Sequence, residues 1–586
     1  MHKRPTGLIA ALALLAAMAA AEEPQYFAIR NARIVPVSGP AIESGTVVIH
    51  DGLIAAVGKD VPIPPAARVI DGKGLIVYPG LIEALSTTLG FAEAAPAVTT
   101  ATATSRFGRT QTPTPTLPST PATPATTEER PAQGPEDRPQ TTPWVNAADL
   151  VSPSARNLEA ARNAGFTSAL VAPPRGIFTG YSAVINLAGG RPGDMVVKTP
   201  VALHTTFGGA ESFMSRSFPG SLFARMAYIR QTFLDLEHHQ QDKAAYQKGS
   251  RGHKRPQYDR ALEGLERVAS KRIPVFIAAN TAVQILRYLD FGRELGVPFL
   301  LYGVQDGYRV APELAKAKVA VLVSARWPEK ERDADPEAEE SLRLLRLRDR
   351  APTTPAALLK AGVPFAFYSD GASARDVIRN VKRSIDAGLP ADAALRALTL
   401  APAQIAGVAD VLGSIEAGKI ANLVVTDGDL FAEKTKVKYV FVDGEKFDIR
   451  EEEARPEAAA GPPSVNVTGT WTLSVESPRG TETFTANLRQ QGSALTGSVQ
   501  SPLGTVEISD GSVGGNEVRF RISLNFGGRP VDVTVIGTVS GNSIKGTMGM
   551  GGGPAMSFTG SRPQESAEFG MRSAEFGPAT EPGEVK

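Results

Sequence analysis

The sequence contains no cysteine and only six histidines in 586 residues. The absence of cysteine excludes disulfide bonds, thiolate metal sites, cysteine nucleophiles and iron–sulfur clusters. The six histidines limit any metal site that would be built from imidazole. Neither positive nor negative side chains are in marked excess, because 62 basic and 61 acidic side chains give a formal net charge of +1. We therefore expect no nucleic-acid partner, since such proteins are typically basic.

Apolar runs long enough to span a membrane are lacking as well. The N-terminus has a short basic start, His2 to Arg4, and then a small, apolar stretch over 7–21 that ends in three alanines. This order is typical of a secretory signal peptide. The apolar stretch is shorter than the roughly 20 residues that cross a bilayer. We predict a signal peptide over 1–21, cleavage near Ala21, and a bacterial protein that is periplasmic or secreted and has no membrane span.

Strand-like and helical patterns alternate through the central part of the chain, from about residue 153 to 406. Apolar strands that alternate with amphipathic helices indicate a parallel α/β architecture, here a (β/α)8 TIM barrel over 80–406. Residues 92–143 interrupt this region, are rich in Pro and Thr, and predict a disordered insertion. A second, helical insertion is expected over 221–270. The predicted strands of the barrel lie at 75–82, 166–172, 196–207, 274–279, 298–304, 320–325 and 364–370.

Two further β regions are expected outside the barrel. Short strands over 22–79 and 407–450 predict a small β-sandwich that flanks the barrel and is built from both of its ends. A charged linker over 451–464 follows. Period-2 alternation between Gly-rich turns over 465–562 then predicts an all-β module, either a barrel or a sandwich. The tail, 563–586, is expected to be disordered.

Three motifs occur in a fixed order along the chain. They are Asp71–Ala84 (DGKGLIVYPGLIEA), Gly362–Asp370 (GVPFAFYSD) and the stretch from Ala394 to Val425. Together they resemble the metal-dependent amidohydrolase superfamily, in its imidazolonepropionase/dihydroorotase-like branch. The resemblance implies a TIM barrel whose first strand follows the first motif, and whose eighth strand ends in a catalytic Asp, here Asp370. It covers about residues 26–449 and implies nothing about the all-β module.

The metal ligands of that superfamily do not carry over to this sequence. Members end the first strand in Asp-x-His-x-His, whose two imidazoles point to one side and bind one metal. Here Glu83 is followed by Leu85 and Thr87 at those positions. Leucine has no lone pair, and a threonine hydroxyl is a poor zinc ligand. The fifth and sixth strands end in histidine ligands in the family. Here the fifth strand ends in Asn280 and the sixth offers no histidine, so neither strand provides an imidazole ligand.

The histidine count leads to the same expectation. His2 leaves with the signal peptide, His50 lies in the predicted sandwich, and three others lie in the helical insertion. Only His204 is placed near the barrel mouth. The four imidazoles of a standard binuclear site therefore cannot be assembled, and we expect a branch with degenerate metal ligands and no tightly bound catalytic zinc or other cofactor.

The candidate catalytic residues are Asp370 and His204. In the superfamily the equivalent Asp takes a proton from water and passes it to the leaving group. His204 with Asp370 forms a possible metal-free acid/base pair. The alternative for Asp370 is a structural one, because Asp370-Gly371-Ala372-Ser373 precedes a predicted helix and an Asp can cap it.

Two classes of function remain open from the sequence. The first is an exported hydrolase that acts on carbon–nitrogen bonds other than peptide bonds, of cyclic amide or N-acyl type. The second is a non-catalytic periplasmic protein that binds a small molecule, peptide or glycan on the same scaffold. The barrel mouth is the expected ligand site in both, and the sequence does not decide between an active enzyme and a pseudoenzyme.

We predict that the full chain, expressed in a bacterial host, is processed to a mature form that begins at Glu22, because the small residues before it suit signal peptidase. Intact mass and N-terminal sequencing of the periplasmic fraction measure this. Replacing Ala19 and Ala21 by aspartate should block processing, whereas the same replacement at Ala28 should not. Recovery of the unprocessed chain in the cytoplasm would contradict the prediction.

Overall fold

The computed structural model describes residues 26–92, 138–155, 157–207, 218–270, 272–330, 339–449 and 463–562, the last range without 478–479, 502–503, 527–528 and 551–555. The chain divides into two compact units, Met1–Ile449 and Arg450–Lys586. The predicted signal peptide, most of the Pro/Thr-rich insertion, most of the linker and the tail lie outside the described residues. No helix within the described ranges is long and apolar enough to cross a membrane.

The first unit is mixed α/β. Its strands are β1 (Phe27–Ile34), β2 (Ile42–His50), β3 (Leu53–Gly58), β4 (Arg68–Asp71), β5 (Ile76–Pro79), β6 (Leu81–Ser86), β7 (Phe166–Val171), β8 (Phe178–Tyr181), β9 (Ala183–Asn186), β10 (Val196–Lys198), β11 (Leu203–Thr205), β12 (Val275–Ala279), β13 (Phe299–Gly303), β14 (Val321–Ser324), β15 (Phe365–Tyr368), β16 (Leu423–Thr426), β17 (Val437–Val442) and β18 (Glu445–Asp448). Its α-helices are α1 (Asn157–Asn163), α2 (Pro192–Met195), α3 (Leu222–Lys248), α4 (Arg260–Ala269), α5 (Ala282–Leu295), α6 (Ala311–Ala317), α7 (Leu342–Arg350), α8 (Thr354–Ala361), α9 (Ala374–Asp386), α10 (Ala391–Leu398) and α11 (Leu400–Ala406).

Both ends of this unit contribute to one sheet. Its strand order is β18-β17-β16-β5-β1-β2-β3, with β4 on β1. The two chain ends meet where β16 runs antiparallel to β5, with Leu423 opposite Pro79. Alternate residues of these strands are apolar, and Ile29, Val47 and Phe441 are fully buried between them. This burial of one face follows from the period-2 pattern of the strands.

The other strands follow one another in a TIM-barrel-like arrangement. Strands β11 to β15 pair in parallel with their neighbours in sequence order, and β6 pairs in parallel with β7. Strands β8 and β9 are separated by Ser182 alone; β9 pairs with β7 and β8 pairs with β11. At the other side β15 lies beside β6. These strands are nearly all buried, as a barrel that is covered by helices requires.

Strands β8 and β9, which follow β6 and β7 in the barrel-like arrangement, depart from the predicted (β/α)8 pattern. Strand β8 runs antiparallel to β11, and β9 runs antiparallel to β7, whereas a regular barrel is parallel throughout. The chain passes from β7 to β8 through Ala172–Ile177 without a helix. Such a short connection joins only antiparallel strands, because a parallel pair needs a long crossover. The predicted strand 196–207 is correspondingly split into β10 and β11 around Pro200, which has no N–H to donate.

The last residues of the Pro/Thr-rich insertion are ordered, which differs from the prediction of disorder over 92–143. Arg138 forms ion pairs with Asp235 of α3 (2.7 Å) and with Asp259, the residue that caps α4 (3.2 Å). The Thr142 backbone N–H donates to the Phe178 carbonyl of β8 at 2.9 Å. These partners come from elements far along the chain, so the local composition of the insertion does not reveal them.

The described part of the second unit contains nine strands, and eight of them form a closed antiparallel barrel, from which β22 is excluded. Its strands are β19 (Gly469–Ser477), β20 (Gly480–Gln491), β21 (Ala494–Ser501), β22 (Gly504–Glu507), β23 (Ser509–Gly514), β24 (Glu517–Phe526), β25 (Arg529–Ser540), β26 (Ser543–Met550) and β27 (Met556–Ser561). The sheet order is β20-β19-β27-β26-β25-β24-β23-β21-β22, and pairing of β20 with β21 closes the ring. Trp471, Phe520 and Phe558 fill its core. Of the two predicted forms, barrel and sandwich, the barrel is therefore correct.

We predict that deletion of 450–586 leaves the first unit folded, because each unit buries a hydrophobic core of its own. Thermal unfolding of 22–449, followed by far-UV circular dichroism, should keep a cooperative transition within a few degrees of that of the full chain. The isolated 463–562 module serves as the matched control. Loss of the cooperative transition in 22–449 would show that its stability depends on the second unit.

Candidate active site

The carboxyl-terminal ends of the barrel strands bring polar side chains together in the interior. The register aligns Ala278 of β12 with Tyr302 of β13 and Leu322 of β14. Because side chains alternate between faces, Tyr302, Ser324 and Tyr368 point to the same side. The rings of Tyr302 and Tyr368 lie 6.0 Å apart edge-to-face although β14 separates their strands. That approach is possible only across the inner face of a curved sheet.

Asp370 lies two residues after β15, at this end of the barrel. The Ser324 hydroxyl donates a hydrogen bond of 2.8 Å to its Oδ2 atom. Ser324 Oγ in turn accepts from the Arg326 backbone N–H at 3.1 Å and from the Gln305 amide at 3.4 Å. The backbone of Asp370 is left-handed, with φ of 52°, a conformation that is uncommon for a residue with a side chain and is concentrated at functional sites. Residues in or just after β13, β14 and β15 thus orient the partly buried carboxylate of Asp370.

Asp370 does not cap the helix that follows it. Helix α9 begins at Ala374, and its N-cap is Ser373, whose side chain accepts from the Asp376 backbone N–H at 3.2 Å. The capping alternative for Asp370 is therefore wrong. Its carboxylate instead accepts the hydrogen bond from the Ser324 hydroxyl.

Glu83 is a second carboxyl group of this region, and the sequence analysis did not select it. It lies in β6 with 4% of its surface exposed, and Oε1 accepts from the Ser369 N–H at 2.8 Å and from the Leu85 N–H at 3.3 Å. Burial raises the pKa of Glu83 to about 7, against the opposing effect of these two donors, and the charge of Asp370 adds to the rise. The only signal in the sequence is an acidic residue inside the apolar run Leu81–Leu85.

Two tyrosines lie between the carboxylates and the far side of the interior. Burial raises the pKa of Tyr302 and of Tyr368 above the ordinary phenol value, and the negative charge of Asp370 adds to both shifts. The Tyr368 hydroxyl interacts with the Asp370 carboxylate and also experiences the charge of Glu83. Both phenols therefore stay protonated and can donate hydrogen bonds at neutral pH.

His204 lies on β11 at the far side of this interior. Its ring centroid is 4.9 Å from that of Phe276 and 6.4 Å from that of Tyr302. Burial lowers the pKa of His204 to about 3, so the imidazole is neutral at physiological pH. Its Nε2 atom has no hydrogen-bond partner among the described residues. Nε2 of His204 therefore makes no hydrogen bond to Asp370, and the acid/base pair of His204 and Asp370 stays a prediction.

Comparison with known proteins places this geometry in a family. The model of the amidohydrolase family matches residues 300–447. An amidohydrolase from Thermotoga maritima MSB8 has a crystal structure that superimposes with a TM-score of 0.57 and 25% identity, over 72% of this chain and 100% of that one. These two findings confirm the resemblance of the chain to the amidohydrolase superfamily.

Two further solved structures of the superfamily are less similar. A Xaa-Pro dipeptidase with bound methionine is 15% identical, with a TM-score of 0.42, over 72% of this chain and 100% of that one. An adenosine deaminase from Xanthomonas campestris is 17% identical, with a TM-score of 0.38, over 72% and 93%. No curated protein matches the chain.

The described side chains at this end of the barrel do not fit the zinc site that the resemblance to the amidohydrolase superfamily implies. Leu85 and Thr87 stand at the end of β6, and Asn280 and Gly303 stand at or just beyond the ends of β12 and β13. No group of three or more His, Asp or Glu within the described ranges is arranged to hold a metal ion. One buried histidine, His204, does not make a zinc site, which takes three or four protein ligands.

Three further histidines, His50, His238 and His239, have partners outside the barrel interior. His50 stacks on Tyr26 in the sheet built from both chain ends, with ring centroids 3.8 Å apart. His238 and His239 lie on α3 and contact Asp242 and Glu263 respectively.

We predict that Glu83→Gln changes the pH dependence of stability. Folding raises the Glu83 pKa from 4.5 to about 7, so its favourable contribution is complete below the unfolded pKa and declines as the pH rises towards 7. A glutamine keeps the acceptor for Ser369 but cannot ionise. Relative to wild type, the variant should gain roughly 2–3 kcal/mol between pH 5 and pH 8, at about 1.4 kcal/mol per pKa unit.

Urea unfolding followed by circular dichroism at four pH values between 5 and 8 measures this difference. Glu313→Gln on α6 is the matched control, because Glu313 is exposed and lies outside the barrel interior. A difference between wild type and Glu83→Gln that does not vary with pH would show that Glu83 is charged throughout this range.

Proposed function

We propose that the protein is an exported hydrolase of the amidohydrolase superfamily that acts on a carbon–nitrogen bond of cyclic amide or N-acyl type, without the zinc of its family. The observation that carries this proposal is the carboxylate of Asp370 at the carboxyl end of β15. It is held by Ser324 at 2.8 Å, has a left-handed backbone, and is not used as a helix cap. Catalytic groups of barrel enzymes gather at this end.

The chemistry proposed for Asp370 is general base catalysis. Asp370 accepts a proton from a water molecule as the water oxygen attacks the carbonyl carbon, and it then returns that proton to the nitrogen as the C–N bond breaks. Without a metal ion the pKa of the attacking water is not lowered, so turnover should be slow compared with a metal-activated hydrolase. A pocket that excludes solvent strengthens the electrostatic interactions made there.

The neighbouring side chains have supporting roles in this proposal. The protonated hydroxyl of Tyr302 is a donor available to a carbonyl oxygen on which negative charge develops, whereas the hydroxyl of Tyr368 interacts with Asp370. Glu83 holds the Ser369 backbone N–H, one residue before Asp370, and thereby fixes the direction of the catalytic carboxylate.

The proposed place of this reaction is the bacterial periplasm or the extracellular space. The predicted signal peptide over 1–21 supports this localisation. The substrate would be a small molecule or peptide that enters at the barrel mouth.

We predict that Asp370→Asn abolishes turnover while it leaves ligand binding nearly intact. Amine release from a panel of cyclic amides and N-acyl amino acids measures turnover, and calorimetry measures binding. General base catalysis contributes about 100- to 10,000-fold, so kcat should fall by that factor with little change in the dissociation constant. Asp376→Asn on α9 is the matched control, because this residue pairs with Arg379 on the helix surface.

Metal analysis of the purified protein separates the remaining interpretations. The proposal expects far less than one zinc per chain and turnover that resists chelators. A stoichiometric zinc that is required for activity would refute the metal-independent mechanism. Ligand binding without any turnover, unaffected by Asp370→Asn, would favour the non-catalytic binding protein instead.

A further inference from the structure

A cleft lies where the short 3₁₀ turn that follows β13 meets α7 and α8, and its volume is about 630 Å³. Its lining contains three cationic side chains, Arg346 and Arg350 of α7 and Lys360 of α8, and one acidic side chain, Asp349. The side chain of Tyr308, from the 3₁₀ turn, lines the cleft as well. None of these side chains takes part in the proposed hydrolysis.

The lining of the cleft has an excess of positive charge. Arg346 and Lys360 form no ion pair with any residue that the structure describes. Arg350 pairs with its neighbour Asp349 at 2.9 Å, and both side chains are well exposed, at 63% and 72%. Exposed ion pairs contribute little to stability, because water and salt screen them. Three cations against one carboxylate leave two positive charges in excess.

The hydroxyl of Tyr308 adds an uncharged donor to this lining. The side chain is partly buried, and burial together with the charge of Asp306 raises the pKa of its phenol. The positive charges of Arg309, Arg350 and Arg346 act on this pKa in the opposite direction, so these guanidinium groups lie within electrostatic reach of the hydroxyl. The phenol stays protonated at neutral pH and can donate a hydrogen bond.

A buried side chain fixes the position of Tyr308 relative to α8. Thr354, in the first turn of α8, has no exposed surface. Its hydroxyl donates to the Gln305 carbonyl at 2.9 Å and accepts from the Tyr308 backbone N–H at 3.3 Å. Buried polar groups that are paired in this way hold a loop in one arrangement. The two sides of the cleft are therefore joined beneath its surface.

These donors suit a phosphate group. A guanidinium presents a planar fork of N–H donors that matches two phosphate oxygens, and such charge-assisted hydrogen bonds are stronger than neutral ones. A doubly charged phosphate also balances the two excess positive charges, whereas a single carboxylate leaves one of them uncompensated. The cleft is larger than one phosphate group, so the rest of the molecule has room beside the methyl groups of Ala356 and Ala357.

We propose that the cleft between Tyr308, Arg346 and Lys360 binds the phosphate group of a phosphorylated molecule. The inference goes beyond the proposed function and does not rest on it, because it involves neither Asp370 nor the barrel interior. Two sources share this chemistry, a soluble phosphorylated molecule and the headgroup of an anionic phospholipid. A lipid surface would also find an apolar contact, because Leu342, one helical turn before Arg346 on α7, is 60% exposed.

The first arm of the test titrates the mature full-length protein with inorganic pyrophosphate at low ionic strength and follows binding by calorimetry. Arg346→Gln should weaken pyrophosphate binding by about tenfold or more, and Lys360→Gln by about threefold, because each removes a charge-assisted hydrogen bond. Acetate, a singly charged probe, should bind to the wild type about tenfold more weakly than pyrophosphate. The ³¹P line of pyrophosphate should broaden with the wild type and stay narrow with Arg346→Gln.

Arg343→Gln is the matched control, because it removes the same charge from the same helix but outside the lining of the cleft. It should leave pyrophosphate binding unchanged. Arg346 and Lys360 are exposed, so their replacement should not impair folding, and circular dichroism verifies this for each variant.

The second arm separates the two sources by sedimentation with vesicles of phosphatidylglycerol, compared with vesicles of phosphatidylcholine. Pyrophosphate binding that depends on Arg346 supports the proposal and identifies a soluble ligand. Binding to phosphatidylglycerol alone that depends on Arg346, without pyrophosphate binding, supports the proposal and identifies the lipid headgroup.

Three outcomes would overturn the proposal. Neither pyrophosphate nor phosphatidylglycerol vesicles bind to the wild type, or Arg343→Gln weakens binding as much as Arg346→Gln does. Equal affinity for acetate and pyrophosphate would refute the assignment of a phosphate group.

Discussion

The hydrogen bond from the Ser369 backbone to the buried Glu83 carboxyl is the interaction on which the site depends. Strands β6 and β15 are the outer strands of two sheets and share no hydrogen-bond ladder with each other. The 2.8 Å contact between Glu83 and Ser369 joins them at the point where the chain turns into Asp370. An acceptor at this position is needed, because a buried N–H without a partner is costly. The same contact therefore links the edge strands β6 and β15 and helps to orient the carboxylate of Asp370, the candidate base.

Aromatic and aliphatic side chains fill much of the barrel interior beside Asp370. Leu85, Tyr302 and Tyr368 reduce the exposure of the interior to water, which raises the pKa of the phenols and of Glu83 and lowers that of His204. The described interior therefore holds a neutral imidazole and two protonated phenols near the carboxylate of Asp370.

The sequence predicted the order of elements and the family because those features are encoded locally. Apolar strand runs and amphipathic helices reveal their period within a few residues, and the motif Gly362–Asp370 marks the last strand and its Asp directly. The loss of the metal ligands at Leu85 and Thr87 is equally local. The family assignment and the importance of Asp370 as a candidate needed no tertiary information.

Features that depend on contacts between distant segments were missed. The antiparallel β8–β9 was not expected, since its direction follows from the missing helix after β7 and its partner β11 lies beyond it in the chain. Glu83 was passed over because its significance comes from Ser369, 286 positions away. The cap of α9, for which Asp370 was one alternative, is provided by Ser373. Local pattern thus determined the fold family and the candidate base, whereas tertiary packing decided which polar atoms are buried, which are paired and which remain without a partner, because those properties depend on residues that are distant in the sequence.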